Sequence, residues 1–311
     1  LVAGIPHSMR SAVAAGIGMF LGIIALKNAE IVVASPATFI TLGDLTQAGP
    51  LLAVLGFFII ATLDALKVKG SILIGIVAVT IIAIALGITP FGGVISSPPS
   101  IAPTFLALDI PGAFAAGIVH VVLVFVLVEV FDATGTLIGV AKRAGLLTEG
   151  PGHSNPQLGK ALLADSTAIV AGSFLGTSST TAYVESASGV QAGGRTGLTA
   201  LTVAALFLLA LFFAPLAGSV PAFATAPALL FVATLMMREL IDIDWDDVTE
   251  AAPAALTAVM MPFTYSIANG LAFGFISYAV LKLLTGKARE VHAATWIVAG
   301  LFLIRFAFFS E

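Results

Sequence analysis

Apolar residues run along this chain in long blocks separated by short polar breaks. Ten blocks of roughly 16 to 21 residues lie near 7–26, 51–66, 71–89, 112–131, 161–176, 197–217, 222–237, 251–267, 270–286 and 292–309, about the length a helix needs to cross the hydrocarbon core of a bilayer. Strands of a membrane barrel would be about half as long and would alternate polar with apolar positions. Glycine is spread through the apolar blocks, 31 residues in all, which suits close helix contacts inside a membrane. The pattern predicts an all-α polytopic membrane protein.

Composition agrees: 59% of the residues are hydrophobic and only 10% charged, with a mean hydropathy of +1.11. A water-soluble fold of 311 residues could not hide that much apolar surface. The absence of cysteine excludes disulfides, thiolate metal sites and a cysteine nucleophile. No metal or other cofactor is implied by any motif. A net charge of −4 without a basic stripe argues against a nucleic-acid partner. No cleavable signal peptide is evident, and a span begins almost at Leu1, so the chain is expected to start within a longer protein.

Positive charge orders the spans. If Leu1–Arg10 is cytoplasmic and the spans alternate, that side receives Arg10, Lys67, Lys69, Lys142, Arg143, Lys160, Arg195, Arg238, Lys282, Lys287 and Arg289, leaving Lys27 and Arg305 elsewhere. The split requires 180–192 to cross the membrane although it is polar and small, so a broken element is predicted near 177–192. The acidic run Asp242, Asp244, Asp246, Asp247 and Glu250 reads as a solvated loop. A weak repeat also emerges: Lys69-Gly70 falls over Asn269-Gly270 at a shift of about 200 residues, and Ile5-Pro6 parallels Val220-Pro221. The charge rule orients the two three-helix copies, 5–87 and 220–286, oppositely, as in inverted-repeat secondary transporters. By that symmetry about 110 residues are expected before Leu1.

Carboxylates inside hydrocarbon-length spans are costly and point to function. Glu129 and Asp132 are three residues apart, on one face of a helix, and Glu185 lies in the hydroxyl-rich stretch Gly176–Gly189. Thr177–Thr181 suits an extended segment leading into a half-helix that begins near Ala182, its positive end facing a site near the bilayer midplane. Asp132 and Glu185 are expected to converge on one cavity. Asp165 reads as a helix N-terminal carboxylate, His7 and His120 as interfacial, and Asp64 as a surface partner of Lys67.

Two signatures carry a family resemblance. Phe131-Asp132-Ala133-Thr134-Gly135-Thr136-Leu137-Ile138-Gly139, and Ala182-Tyr183-Val184-Glu185-Ser186-Ala187-Ser188-Gly189 followed by Gly193-Gly194-Arg195-Thr196-Gly197-Leu198-Thr199-Ala200, resemble the AzgA-like branch of the nucleobase:cation symporter-2 (nucleobase–ascorbate transporter) family. The resemblance implies a fold of two inverted sevens, with this chain lacking the first four spans. Residues 1–90 would then supply gate helices of the first repeat, 112–218 the core helices of the second, 219–288 its gate helices and 289–311 an extra hydrophobic helix.

It further implies a multi-pass carrier of the inner or plasma membrane, not an enzyme, importing purine nucleobases with protons. Asp132 and Glu185 would hold the base, with one or both linked to proton coupling, and Thr136, Thr180, Thr181 and Tyr183 are weaker carry-overs; read from its own place in the span, Glu129 is expected to serve proton coupling with Asp132. Its partners would be the purine, the proton and membrane lipid. Related transporters often dimerise, which leaves a homodimer open. Donor matching favours guanine and hypoxanthine, with adenine as an allowed cargo. Two alternatives stand: the same fold carrying uracil, xanthine or an anion, and an intramembrane aspartyl hydrolase pairing Asp132 with Glu185 or Glu129.

Overall fold

The computed structural model describes residues 6–115, 125–126, 129, 133, 136–137, 140–141, 144–146, 156–183, 186–191 and 193–308. Within them the chain is mostly helical: α1 His7–Asn28, α2 Ala48–Ala65, α3 Ser71–Ala85, α4 Ile110–Ala115, α5 Pro156–Leu175, α6 Ser186–Gln191, α7 Gly197–Ala210, α8 Ala214–Gly218, α9 Ala222–Met236, α10 Val248–Phe263, α11 Ile267–Leu284 and α12 Ala293–Phe308. Among the described residues six stretches are long and apolar enough to cross a membrane: His7–Asn28, Ala48–Ala65, Gln157–Leu175, Gly197–Gly218, Ala222–Asp242 and Ile267–Leu284. Helices α3, α10 and α12 are apolar but shorter, at 15 or 16 residues. The apolar block near 112–131 lies largely outside the described residues.

Local chemistry sets the helix ends. After α2 the chain takes a left-handed residue at Lys67, and the Val68 amide reaches back to the Leu63 carbonyl at 2.9 Å. Tyr265 plays the same part after α10, with the Ser266 amide 3.1 Å from the Met261 carbonyl. These turns satisfy carbonyls that the last helical turn leaves free. They also end α2 and α10 inside the apolar blocks read from sequence, because the backbone reverses while the side chains are still apolar. Asp247 opens α10, its carboxylate accepting from the Thr249 amide at 2.8 Å, and Ser266 opens α11 by accepting from the Asn269 amide at 3.3 Å.

The all-α expectation needs one amendment. Between α1 and α2 the chain forms an antiparallel hairpin, β1 Val32–Ser35 with β2 Phe39–Leu42, in the register Val32 to Leu42 and Ser35 to Phe39. Two four-residue runs containing Val, Ile and Thr flank Pro36, and this β-branched composition favours the strand.

The described chain falls into two compact units, one running to Ser96 and resuming at Phe213, the other Ser97–Phe212. In the first, α1 packs on α9 and α10, α9 packs on the α2–α3 hairpin, α10 pairs with α11, and α12 lies on α11. Helices α1 and α9 thus touch each other, and each packs on the hairpin that follows the other: α1 on α10–α11 and α9 on α2–α3. Small residues make these approaches: Ala12, Ala15, Ala224, Ala233, Ala254 and Ala272 are fully buried. Gly274 of α11 lies so close to Thr257 and Met9 that a Cβ there would collide with both. Large apolar side chains point outward instead, as on α3 with Leu73 and Ile81. Lipid accepts such a surface and water does not.

Of the acidic run, Asp242, Asp244 and Asp246 are exposed, as a solvated loop requires, whereas Asp247 and Glu250 are half-buried and paired. Asp247 pairs with Lys287 at 2.8 Å, and Glu250 takes the Lys282 ammonium at 2.9 Å and the Tyr278 hydroxyl at 3.1 Å. Glu290 completes the arrangement at 3.2 Å from the same ammonium. The reason is topological: the first turn of α10 lies beside the last turn of α11, where the acids meet the lysines across the hairpin.

A candidate binding site on an extended segment of the second unit

In the second unit, helix α5 stops at Gly176, whose φ of +76 is a left-handed conformation. A side chain at this position would also strike Thr104. The Thr177 amide bonds back to the Gly172 carbonyl at 3.1 Å, and the chain reverses. Two more carbonyls at the end of α5 are taken by the preceding loop: the Leu106 amide reaches Phe174 at 2.8 Å and the Thr104 hydroxyl reaches Leu175 at 3.0 Å. With its end capped in this way, α5 is a fixed support for the next segment.

That segment is extended. Residues 177–183 carry no regular structure and double back along α5, where Gly172 lets Thr177 and Thr180 approach the helix closely. Among the described residues the next helix, α6, spans Ser186–Gln191, with the Ser186 amide bonded to the Tyr183 carbonyl at 3.1 Å. The described residues of the broken element read from sequence near 177–192 are thus an irregular stretch, 177–183, and a short helix, while 184, 185 and 192 lie outside the described residues.

Two carboxylates meet this segment. Helical Glu129 accepts from the Ser179 hydroxyl through Oε2 at 2.7 Å, while its Oε1 is buried and has no hydrogen-bond partner among the described residues. Asp165, in α5, accepts the Ala182 amide through Oδ1 at 3.2 Å. The Thr181 hydroxyl, between Ser179 and Ala182, is also buried without a partner among the described residues. The arrangement presents one unpaired acceptor and one unpaired hydroxyl beside a stretch of open backbone. Buried polar atoms are rarely left so unless something else completes them.

Asp132 and Glu185 lie outside the described residues, as does His120. Of the other sequence candidates, the structure brings Glu129 and Thr181 to the segment, leaves Thr180 and Tyr183 exposed on it, and places Thr136 half-buried in a helix. The reading of Asp165 as a helix N-terminal carboxylate is corrected: α5 starts at Pro156, making Asp165 the tenth residue, about 14 Å along the axis. Polar Gln157 and Lys160 mask the true helix start. The signal that reveals it is a carboxylate midway through an apolar helix. Among the described residues no group of three or more His, Asp or Glu forms a metal-binding cluster.

Known proteins share this sequence over nearly its whole length. The model of the Permease family (Xan_ur_permease) matches residues 1–273. The chain is 47% identical over 308 residues to the adenine permease AdeP of Escherichia coli K12, covering 99% of this chain and 69% of that protein. It is 49% identical over 307 residues to a putative permease of Methanocaldococcus jannaschii, covering 98% and 70%. With the guanine/hypoxanthine permease PbuG of Bacillus subtilis it shares 42% over 312 residues, 99% and 70%. These relatives are transporters and not enzymes. On the family match and these identities, the chain belongs to the Permease family of multi-pass membrane proteins.

Proposed function

We propose that this chain carries purine nucleobases across the cell membrane by proton symport, and that the extended segment 177–183 forms part of the binding surface. The observation that carries the reading is the pair of buried, unpartnered atoms at that segment, Glu129 Oε1 and Thr181 Oγ1. A nucleobase edge offers donors and acceptors side by side and can complete both. The relatives' names supply the cargo class, adenine for one and guanine or hypoxanthine for another. In this reading Asp132 and Glu185 hold the base, Glu129 and Asp132 serve the proton, and Thr136, Thr181 and Tyr183 line the site.

The first unit is read as the gate, 1–90 with 219–288, and the block 112–218 as the core, with 289–311 as an added helix. The reciprocal packing of α1 on α10 and of α9 on the α2–α3 hairpin supports an inverted repeat, because a two-fold operation exchanging the groups predicts such swapped contacts.

Substrate choice follows from Glu185. Ionised, it accepts the N1–H and 2-amino donors of guanine together, and the single N1–H of hypoxanthine. Adenine presents an acceptor beside its 6-amino donor and requires a protonated carboxyl. The specific observation favouring adenine is the 47% identity to an adenine permease. Competition uptake in the complete protein with guanine, hypoxanthine, adenine and uracil decides between them. Wild type should prefer guanine, and Glu185→Gln should weaken guanine affinity while sparing adenine. Preference for adenine in the wild type, or unchanged guanine affinity in the variant, overturns the guanine assignment. Uptake of uracil alone overturns the purine reading.

A further inference from the structure

Residues 177–183 form neither helix nor sheet, so each amide there needs an acceptor from elsewhere. The Ala182 amide finds one seventeen residues back in sequence, the Oδ1 of Asp165 at 3.2 Å. This bond joins the middle of α5 to the far part of the segment, past the close approach at Gly172. Glu129 holds the near part from another helical element, through Ser179. Thr181, with its unpaired hydroxyl, sits between these two anchors.

A carboxylate halfway along an apolar helix is costly. What the position requires is an oxygen at this reach: a serine hydroxyl, one bond shorter, falls short of the Ala182 amide, whereas an asparagine oxygen does not. A charged acceptor makes a stronger bond to an amide than a neutral one. Here that bond ties Ala182 to the helix beneath it. We propose that Asp165 is a positioning residue: by accepting the Ala182 amide it fixes the height of the extended segment along α5, and with it the placing of Thr181 toward the bound base. The inference rests on the purine reading of the same site, but its geometry can be tested apart from transport.

The chain contains no cysteine, which gives a clean background for thiol labelling. Ser178, exposed on the segment and outside the binding set, is replaced by Cys in the membrane-embedded full-length protein. Its maleimide labelling rate is measured beside the KM and Vmax of purine uptake, for Asp165 and for Asp165→Asn, Asp165→Ala and Asp165→Ser. Asparagine keeps an oxygen at the same reach, so labelling and KM should stay within about threefold of the parent. Alanine and serine lose the reach: labelling should rise severalfold and KM should rise about tenfold with a smaller change in Vmax, because a displaced segment costs binding first.

If Asp165→Asn is as impaired as Asp165→Ala in both readouts, charge rather than the amide bond matters and the proposal is overturned. Unchanged labelling in Asp165→Ala overturns it as well. Failure of both short variants to fold, while Asp165→Asn folds, would assign Asp165 to the stability of its unit and likewise overturn it. If the parent takes up no purine yet the labelling pattern holds, the functional reading fails and the positioning role stands.

Discussion

Removing the Lys282 ammonium tests whether the charged cluster between α10 and α11 holds the first unit together. The Lys282 side chain is 4% exposed and bonds Glu250, itself 16% exposed, at 2.9 Å. Lys282→Met keeps the length of the stem but leaves Glu250 with the Tyr278 hydroxyl alone. Breaking a buried pair from one side costs about 3–5 kcal/mol, and the retained phenol bond places this case near the lower end. At about 2–4 °C per kcal/mol for a unit of this size, the melting temperature should fall by about 6–12 °C. Lys282→Met with Glu250→Gln should recover most of that loss, since the amide oxygen still accepts from Tyr278 and no charge is stranded. Glu290 is 58% exposed and adds little, and Lys287, 39% exposed, should matter less than Lys282 when replaced by Met. The assay is thermal loss of the monodisperse size-exclusion peak in detergent, at one fixed heating rate. A single variant that melts with wild type, or a double variant less stable than the single, would refute the reasoning.

Two further predictions concern the site and acid stability. Thr181→Val deletes a buried hydroxyl without a partner, so the fold should lose nothing, while the KM for purine should rise about two- to tenfold if the base bonds that hydroxyl; equal KM in both proteins would remove Thr181 from the site. The Lys287 ammonium and the Thr249 hydroxyl and amide hold the Asp247 carboxyl well below its ordinary 3.8. A depressed folded value stabilises above the ordinary pKa and is lost as pH falls through the folded one, so stability should decline below about pH 4, and Asp247→Asn should show a shallower acid slope than wild type.

The spans are legible because bilayer thickness imposes a length that composition alone can meet, and the broken element is legible because hydroxyls and glycine crowd where a lipid-facing helix would carry leucine. Ends are less so. Lys67 and Tyr265 reverse the backbone at the ends of apolar blocks, and neither residue type announces a left-handed turn. The β1–β2 hairpin is hidden between spans, its four-residue strands too short for a period to stand out. Asp165 escapes a sequence reading because two polar residues make α5 look as though it begins later. The tie between Glu250 and Lys282 joins residues 32 positions apart, and only the pairing of α10 with α11 brings them together.

The two units use their carboxylates differently, and the contrast bears on the binding surface. In the first, Asp247 and Glu250 sit at a helix start and are each matched by a lysine, the ordinary way to keep a charge in place. In the second, Glu129 and Asp165 meet a hydroxyl and a backbone amide, and among the described residues neither forms an ion pair. A carboxylate held by neutral donors keeps its orientation whether or not it is charged, whereas one held by lysine loses its partner's attraction on protonation. With no cation beside it among the described residues, Glu129 keeps its Oε1 free to accept from a ligand's donor. An acceptor left free in this way supports reading Glu129, rather than the paired acids of the first unit, as part of the proposed binding surface.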